Sequence, residues 1–357
     1  MAERRIYNAL GLMSGTSLDG IDVAVIKTDG FSVISFGPFE SRSYSSEFRV
    51  RLRAELGNKI LPQALEEDLT WLHANLVKSL FATSGLSSSE IDVIGFHGHT
   101  IHHEPKSRFT LQIGDGALLS ELLGCTVVNN FRSADVAAGG EGAPFAPVYH
   151  QALASDFGEP VAVINIGGVA NVSFISQDCL MAFDTGPGNA PIDDIVKQRT
   201  GSDFDEGGAL ARQGKIDNNI LVNLLDHPYF VQTPPKSLDR NGFDFSWTNE
   251  LSVEDAAATL VAFTTEAIAR SIQFFPEPVQ RFLMTGGGRH NYFMMSELER
   301  RVGGCVLPVE SVGWNGDAIE AQAFAFLAVR SLLNLPLSFP STTGVSQELT
   351  GGDIHPH

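Results

Sequence analysis

One stretch constrains this chain more than any other: Gly11-Leu12-Met13-Ser14-Gly15-Thr16-Ser17-Leu18-Asp19-Gly20-Ile21-Asp22. Apolar residues 6–10 precede it and residues 23–26 follow it. Two strand-like runs around a short, glycine-bearing turn spell a β-hairpin. Yet Ser14, Thr16, Ser17, Asp19 and Asp22 place more polar chemistry there than a tight turn requires. Glycine lets backbone approach a ligand, and successive N–H groups in such a turn can cradle an anion. An ordinary hairpin with an Asx or Ser turn is the competing interpretation.

A second stretch of the same kind decides between them. Residues 161–166, Gly167-Gly168, residues 169–175 and residues 180–183 repeat the opening pattern of strand, turn, strand, strand. This turn is Asn165-Ile166-Gly167-Gly168-Val169-Ala170-Asn171, again rich in glycine and amide. An internal repeat with one hairpin turn per half is an organisational signal. The third strand of the second half leads into Asp184-Thr185-Gly186-Pro187-Gly188-Asn189, with a helix expected from Asp193. A carboxylate at the end of a buried strand stands where α/β folds place catalytic groups; a structural helix cap is the alternative for Asp184.

Between the repeats, Leu65, Leu69, Leu72, Leu76 and Leu80 mark one face of an amphipathic helix. Residues 91–96 read as a short buried strand ending in Gly95-Phe96-His97-Gly98-His99-Thr100-Ile101-His102-His103. The four histidines invite a metal site, but no Cys or paired acid accompanies them. Polar residues lining a cleft at a strand end are the expectation, with no metal centre. Residues 130–144 combine Arg132, Asp135 and Glu141 with several glycines, which suits a substrate-facing loop better than a linker. Later, strand residues 282–285 run straight into Gly286-Gly287-Gly288-Arg289-His290-Asn291, a place for close approach of a flat ligand or a phosphate. Lys236 could face an anion or simply be solvated. Asp317 opens a helix that leaves Glu320 polar near its start, and the tail from Pro336 is expected to pack lightly or fray.

The 357 residues suffice for two domains, and 43% hydrophobic with 18% charged content is that of a globular chain. A net charge of −18 leaves no basic surplus for nucleic acid. No apolar run nears the roughly 20 residues of a membrane span, and the start of the chain has no signal-like apolar core. Cys125, Cys179 and Cys305 are widely separated, as in a reducing compartment. These features lead to a cytoplasmic protein that takes neither nucleic acid nor membrane as partner.

There is no GxxxxGK[ST], and no GxGxxG follows the first strand, so a phosphate site must come from the two hairpin turns and a glycine cluster. That is the architecture of actin, the 70-kDa chaperones and hexokinase-like sugar kinases, in which ATP lies in a cleft between two halves. The fold class expected is α/β, with two ribonuclease H-like (actin-like ATPase) domains. The boundaries expected are 1–134 and 135–335, with the tail 336–357 packing back on the first domain.

Taken together, the 13–22, 165–171 and 184–189 motifs resemble those of bacterial anhydro-N-acetylmuramic acid kinases. Supporting matches are residues 131–135, 139–144, 234–237 and 285–291, and Glu320 with its Ala-rich helix. The resemblance spans nearly the whole chain in order. It implies a cell-wall recycling enzyme that uses ATP, Mg2+ and water to turn 1,6-anhydro-N-acetylmuramic acid into N-acetylmuramic acid 6-phosphate and ADP. By analogy Asp184 is the catalytic base. Gly15, Thr16, Ser17, Leu18, Asp19, Gly20, Ile21 and Asp22, opposed by Asn165, Gly167 and Gly168, would hold the phosphates. Gly286, Gly287 and Gly288 would approach the nucleoside. His97, Thr100, Arg132, Asp135 and Glu320 would face the sugar, with Arg132 pairing to its lactyl carboxylate. The family usually has Gln where Glu141 stands; if that position touches the sugar carboxylate, the added negative charge would weaken binding. A homodimer fits the family. Other readings are a related kinase for another sugar, a catalytically silent sensor, and a two-carboxylate glycoside hydrolase that would leave both hairpins idle.

Overall fold

A computed structural model describes residues 4–15, 17–239 and 242–357. The chain divides into two compact units, residues 1–155 with 318–357, and residues 156–317. The first unit is built from β1 (Tyr7–Ser14), β2 (Gly20–Thr28), β3 (Val33–Ser43), α1 (Ser46–Glu55), α2 (Gln63–Ser84), β4 (Val93–Glu104), β5 (Phe109–Ile113), α3 (Gly116–Leu123), β6 (Val127–Asn129), α4 (Ser133–Ala137) and α5 (Ala146–Ala154). The second holds β7 (Val161–Ile166), β8 (Val169–Ile175), β9 (Leu180–Pro187), α6 (Ala190–Thr200), α7 (Asn218–Leu225), α8 (Val253–Ser271), β10 (Arg281–Thr285), α9 (Tyr292–Val302) and β11 (Cys305–Pro308). The chain then returns to the first unit with α10 (Ile319–Leu332) and β12 (Asp353–His355).

The two sheets share one topology. In the first the order is β6-β4-β1-β2-β3, in the second β11-β10-β7-β8-β9. In both, the second strand runs antiparallel to its neighbours and the outer connections are parallel. Each unit is therefore a ribonuclease H-like α/β fold headed by an antiparallel meander, and the repeat seen in the sequence is a repeat of structure. The first sheet carries β5 against β4 and β12 against β6 in addition.

Why the first unit reclaims α10 follows from two glycines. Gly11 on β1 and Gly95 on β4 are register partners. A Cβ on Gly11 would lie 1.7 Å from the Ala321 carbonyl oxygen, and one on Gly95 1.9 Å from that of Phe324. Together they form a bare patch of sheet on which the α10 backbone rests directly, and the alanines of α10 keep that approach close. The boundary expected at residue 335 is thus displaced to 317, and α5 also falls in the first unit. Nor does the tail fray. β12 pairs with β6, while Leu337, Thr342, Thr343 and Val345 are buried. Three further expectations are corrected. β4 extends to Glu104, so the histidines lie within a strand and not in a strand-end loop. β9 extends to Pro187, which places Asp184 inside it. Helix α6 begins at Ala190, three residues before Asp193.

Candidate active site

In the first unit, β1 ends at Ser14 and β2 resumes at Gly20. Thr16 lies outside the described residues. Leu18 adopts φ 60° yet is buried in the core of its unit. A leucine takes a left-handed conformation at some cost in strain, and here its side chain's core contacts hold it there. Ile21 is likewise a core side chain, so Leu18 and Ile21 offer a ligand only backbone. Asp19 is exposed, and its Oδ1 accepts from the Ser17 hydroxyl at 2.7 Å and from the Gly20 N–H at 2.9 Å.

A bulge in β4 separates the histidines. Leu12 pairs with Phe96, but Ser14 pairs with His99, so β4 carries one extra residue. Gly98 absorbs it at φ +69°, where a Cβ would strike the Ile113 carbonyl oxygen at 2.1 Å. His97 turns to Arg132 and His99 to Ser14. The His97 Nδ1–H donates to the Gly98 carbonyl (2.9 Å), and its Nε2 accepts from Arg132 Nε (3.0 Å). Burial keeps this imidazole well below its ordinary pKa, and the Arg132 charge adds to that, so it remains a neutral acceptor. Both nitrogens are committed, and His97 serves Arg132. Arg132 Nη1 donates to the Gly142 carbonyl at 2.6 Å, and the guanidinium lies 5.5 Å from the Phe145 ring centre. Burial lowers its pKa to about 10, against the pull of Glu320 and Asp135.

Asp135 is buried, with Oδ1 accepting from the Gly142 N–H (2.6 Å) and Oδ2 from the Thr343 hydroxyl (2.5 Å). It folds the 139–142 loop back beside Arg132 and anchors the C-terminal segment. His103 donates from Nε2 to the Glu141 carbonyl at 2.8 Å, and His102 from Nδ1 to that of Gly57. Thr100, half-buried, accepts from the Gln112 side-chain amide at 3.3 Å. Glu320 stands in the first turn of α10. Its side chain is exposed, yet the protein packed around it raises its pKa by desolvation, as do the charges of Asp22 and Asp19, while Arg132 pulls it down. The first unit therefore brings Asp19, Asp22 and Arg132 within electrostatic reach of Glu320.

In the second unit, β8 and β9 pair through a bulge: Ala170 faces Gly186 and Asn171 faces Asp184, leaving Thr185 as the extra residue. The Thr185 hydroxyl closes the gap by donating to the Ala170 carbonyl at 3.1 Å. Asp184 is half-buried and held on three sides. Its Oδ2 accepts from the Leu238 N–H (2.8 Å), its carbonyl from the Tyr229 hydroxyl (2.6 Å), and its N–H donates to the Lys236 carbonyl (3.0 Å). Burial, then the charge of Asp184, pushes the Tyr229 phenol up. Lys236 spans the Tyr229 and Phe274 rings at 4.5 and 4.9 Å, and burial brings its pKa down to about 8. Residues 188–190 donate backbone N–H groups to the Gly167 and Gly168 carbonyls, fastening the turn to the start of α6. Sequence reasoning singled out neither Tyr44 nor Tyr229 and read His99 only as one of four clustered histidines.

The glycines of the motifs fall into two groups. Gly20, Gly188 and Gly288 have protein atoms within 2.2 to 2.5 Å of a would-be Cβ, and Gly286 has φ +74° with Asn165 Oδ1 at 2.2 Å. Packing alone accounts for those. Gly15, Gly167, Gly168 and Gly287 have neither a positive φ nor any neighbour nearer than 3.4 Å. Among the described residues these four are the glycines that nothing in the protein requires. All four lie in the turns expected to meet a ligand.

The model of the anhydro-N-acetylmuramic acid kinase family matches residues 7–357. The chain is 53% identical over 351 residues to the anhydro-N-acetylmuramic acid kinase of Paramagnetospirillum magneticum, covering 97% of this chain and 99% of that one. To the enzyme of the same name from Rhodospirillum rubrum it is 51% identical, covering 98% and 94%. Among solved structures it is similar to (R)-2-hydroxyglutaryl-CoA dehydratase component A of Acidaminococcus fermentans, with TM-score 0.49, 10% identity, and 92% and 99% of the two chains covered. No helix among the described residues is long and apolar enough to cross a membrane. On the match over residues 7–357, the chain belongs to the anhydro-N-acetylmuramic acid kinase family, a kinase with an alcohol group as acceptor.

Proposed function

We propose that this chain uses ATP and water to convert 1,6-anhydro-N-acetylmuramic acid into N-acetylmuramic acid 6-phosphate and ADP, in cytoplasmic recycling of cell-wall sugar. The observation that carries the reading is the set of four glycines with room for a Cβ and no structural need to lack one. A ligand that approaches backbone closely explains all four, and backbone N–H groups at such turns suit phosphate. Gly15, Ser17, Asp19, Gly20, Asn165, Gly167, Gly168 and Gly287 are assigned to ATP. The carboxylates also fit Mg2+. Asp19 and Asp22 are hard oxygen donors whose negative field is felt at Glu320, and a divalent cation relieves such crowding. When bound, Mg2+ would neutralise charge on the transferring phosphoryl group.

Asp184 is the base. The Leu238 N–H holds one carboxylate oxygen and two further hydrogen bonds pin its backbone, so the side chain can take a proton from water with little reorganisation. The water oxygen bonds to the anomeric carbon, the bond from that carbon to O6 breaks, and O6 takes the γ-phosphoryl group as ADP leaves. Arg132, oriented by His97, pairs with the lactyl carboxylate, and Glu320 and Thr100 face the sugar hydroxyls. Asp135 acts by shaping the loop beside Arg132.

The test is mass spectrometry of products from 1,6-anhydro-N-acetylmuramic acid with Mg2+ and ATP, for wild type and Asp184→Asn. The sugar should gain both water and phosphate, and Asp184→Asn should lose at least about 100-fold in kcat. Gain of water without ATP would replace this reading with a glycoside hydrolase. Turnover of a different sugar alone would keep the kinase and discard the substrate.

A further inference from the structure

We propose that His99 is a positioning residue for the phosphate turn, acting through Ser14 and Tyr44; this rests on the reading of that turn as a phosphate site. Ser14 is the last residue of β1, immediately before the turn, and Asp19 closes it. Tyr44, just after β3, ties the two feet together. Its backbone N–H donates to the Asp19 carbonyl at 2.9 Å, and its hydroxyl lies 2.6 Å from Ser14 Oγ. The same Ser14 oxygen lies 2.8 Å from His99 Nδ1. All three residues are buried, with Ser14 1%, Tyr44 6% and His99 0% exposed. The chain Tyr44–Ser14–His99 thus runs from the turn into the core of its unit.

The rest of the His99 environment gives no other use for an imidazole. Among the described residues its buried Nε2 has no hydrogen-bond partner, nor has that of the neighbouring His73. Burial pushes the His99 pKa down to about 4, so the ring sits there neutral. A buried nitrogen left unpaired costs stability, and a leucine would fill the space without that cost. What a leucine cannot do is hold the Ser14 hydroxyl. The Gly98 bulge, with φ +69°, is the backbone device that aims His99 at Ser14 while His97 turns to Arg132. One irregularity in β4 therefore orients two neighbouring features, the phosphate turn and the sugar-side guanidinium.

The test compares His99→Leu, His99→Asn and Tyr44→Phe in steady-state kinetics, with both substrates varied and unfolding followed without nucleotide. Asn places a polar atom where Nδ1 stands, and Phe keeps the ring against Phe48, at 4.9 Å between centroids. His99→Leu should raise KM for ATP about tenfold, the scale of one lost hydrogen bond, while leaving KM for the sugar within about twofold. His99→Asn should restore most of that, and Tyr44→Phe should behave like His99→Leu. An unchanged KM for ATP, or an equal rise in both KM values, overturns the proposal and leaves His99 a core residue. Should His99→Leu fail to fold, Tyr44→Phe decides on the same criterion. Asp19→Asn separates the two levels of inference. If it leaves KM for ATP unchanged, the phosphate assignment falls. If it raises that KM while His99→Leu and Tyr44→Phe do not, only the positioning role falls.

Discussion

Replacing Gly168 by alanine should damage nucleotide binding and leave folding intact. The added methyl would find its nearest neighbour, the Ala190 Cβ, at 3.5 Å, an ordinary van der Waals contact. The residue's φ lies outside the positive range that favours glycine. Such a substitution narrows the unfolded ensemble and stabilises by about 0.4–1 kcal/mol. Toward a ligand the sign reverses. A methyl pushes a phosphate oxygen back by more than an ångström, and losing one charge-assisted amide contact costs about 1.5–3 kcal/mol. That is a rise of roughly 10- to 150-fold in KM for ATP. Gly15→Ala should repeat the pattern, since its nearest neighbour is Ser17 Oγ, also at 3.5 Å. Gly95→Ala is the opposite control. Its methyl would stand 1.9 Å from the Phe324 carbonyl oxygen and must push α10 off the sheet, costing about 3 kcal/mol or more. The assay pairs nucleotide-free thermal unfolding with ADP release across an ATP titration. Gly168→Ala and Gly15→Ala enzymes with wild-type KM for ATP would refute the cradle, and a collapse of their Tm would refute the packing argument.

Three further outcomes follow from the geometry. His73, His99 and His150 are buried and held down to about 4, so below pH 6.5 the unfolded chain binds protons that the native one refuses. Stability should fall from pH 6.5 to about 4, by up to about 1.4 kcal/mol per pH unit for each imidazole. Urea unfolding at pH 7.5, 5.5 and 4.5 checks this, and a His73→Phe variant with the same slope as wild type would contradict it. Asp135→Asn loses an acceptor for either the Gly142 N–H or the Thr343 hydroxyl and should cost about 1–3 kcal/mol. It should also open the loop at 139–144 to limited proteolysis; an uncut loop would count against its anchoring role. Arg132→Lys abandons the Nε–H bond to His97, so KM for the sugar should rise about tenfold with KM for ATP near wild type. An equal change in both would mean that Arg132 does not discriminate between them.

The repeat was legible because each meander needs the same succession of apolar runs and a glycine turn, and periodicity two is a strong local signal. Asp184 was singled out by its strand-end position and flanking glycines, but not its placement within β9. A bulge at Thr185 turns on long-range pairing with Ala170 and Asn171, which no local pattern encodes. The β4 histidines show the same limit. Their spacing reads as one cluster, whereas Gly98 sends His97 and His99 to different partners. The allegiance of α10 was hidden for another reason. It depends on Gly11 and Gly95, over 200 residues earlier in the chain, and isolated glycines in strands announce close approach without naming what approaches. The tail's return to the first unit was expected but its firm pinning was not, since Pro, Ser, Thr and Gly are as compatible with a pinned extended segment as with a loose one.

The glycines also explain how one topology serves twice with different chemistry. In the first unit Gly11 and Gly95 are spent on seating α10, which sets Glu320 near Asp22 and Arg132. The placement of these charged groups in the first unit is therefore a consequence of helix-on-sheet packing, and a residue larger than glycine at either position would displace a carboxylate it never touches. In the second unit the corresponding strands, β7 and β10, lead into Gly167-Gly168 and Gly286-Gly287-Gly288. There Gly286 and Gly288 are consumed by contact with Asn165 and Ile166, leaving Gly167, Gly168 and Gly287 open. Asp184 gets its place from pairing with β8 and from the Leu238, Tyr229 and Lys236 contacts, independently of those turns. On the proposed assignment, binding and base are thus held by separate sets of interactions within that unit. A substitution at the open glycines should weaken KM for ATP without moving the base, and one at Tyr229 should move the base without touching the turn.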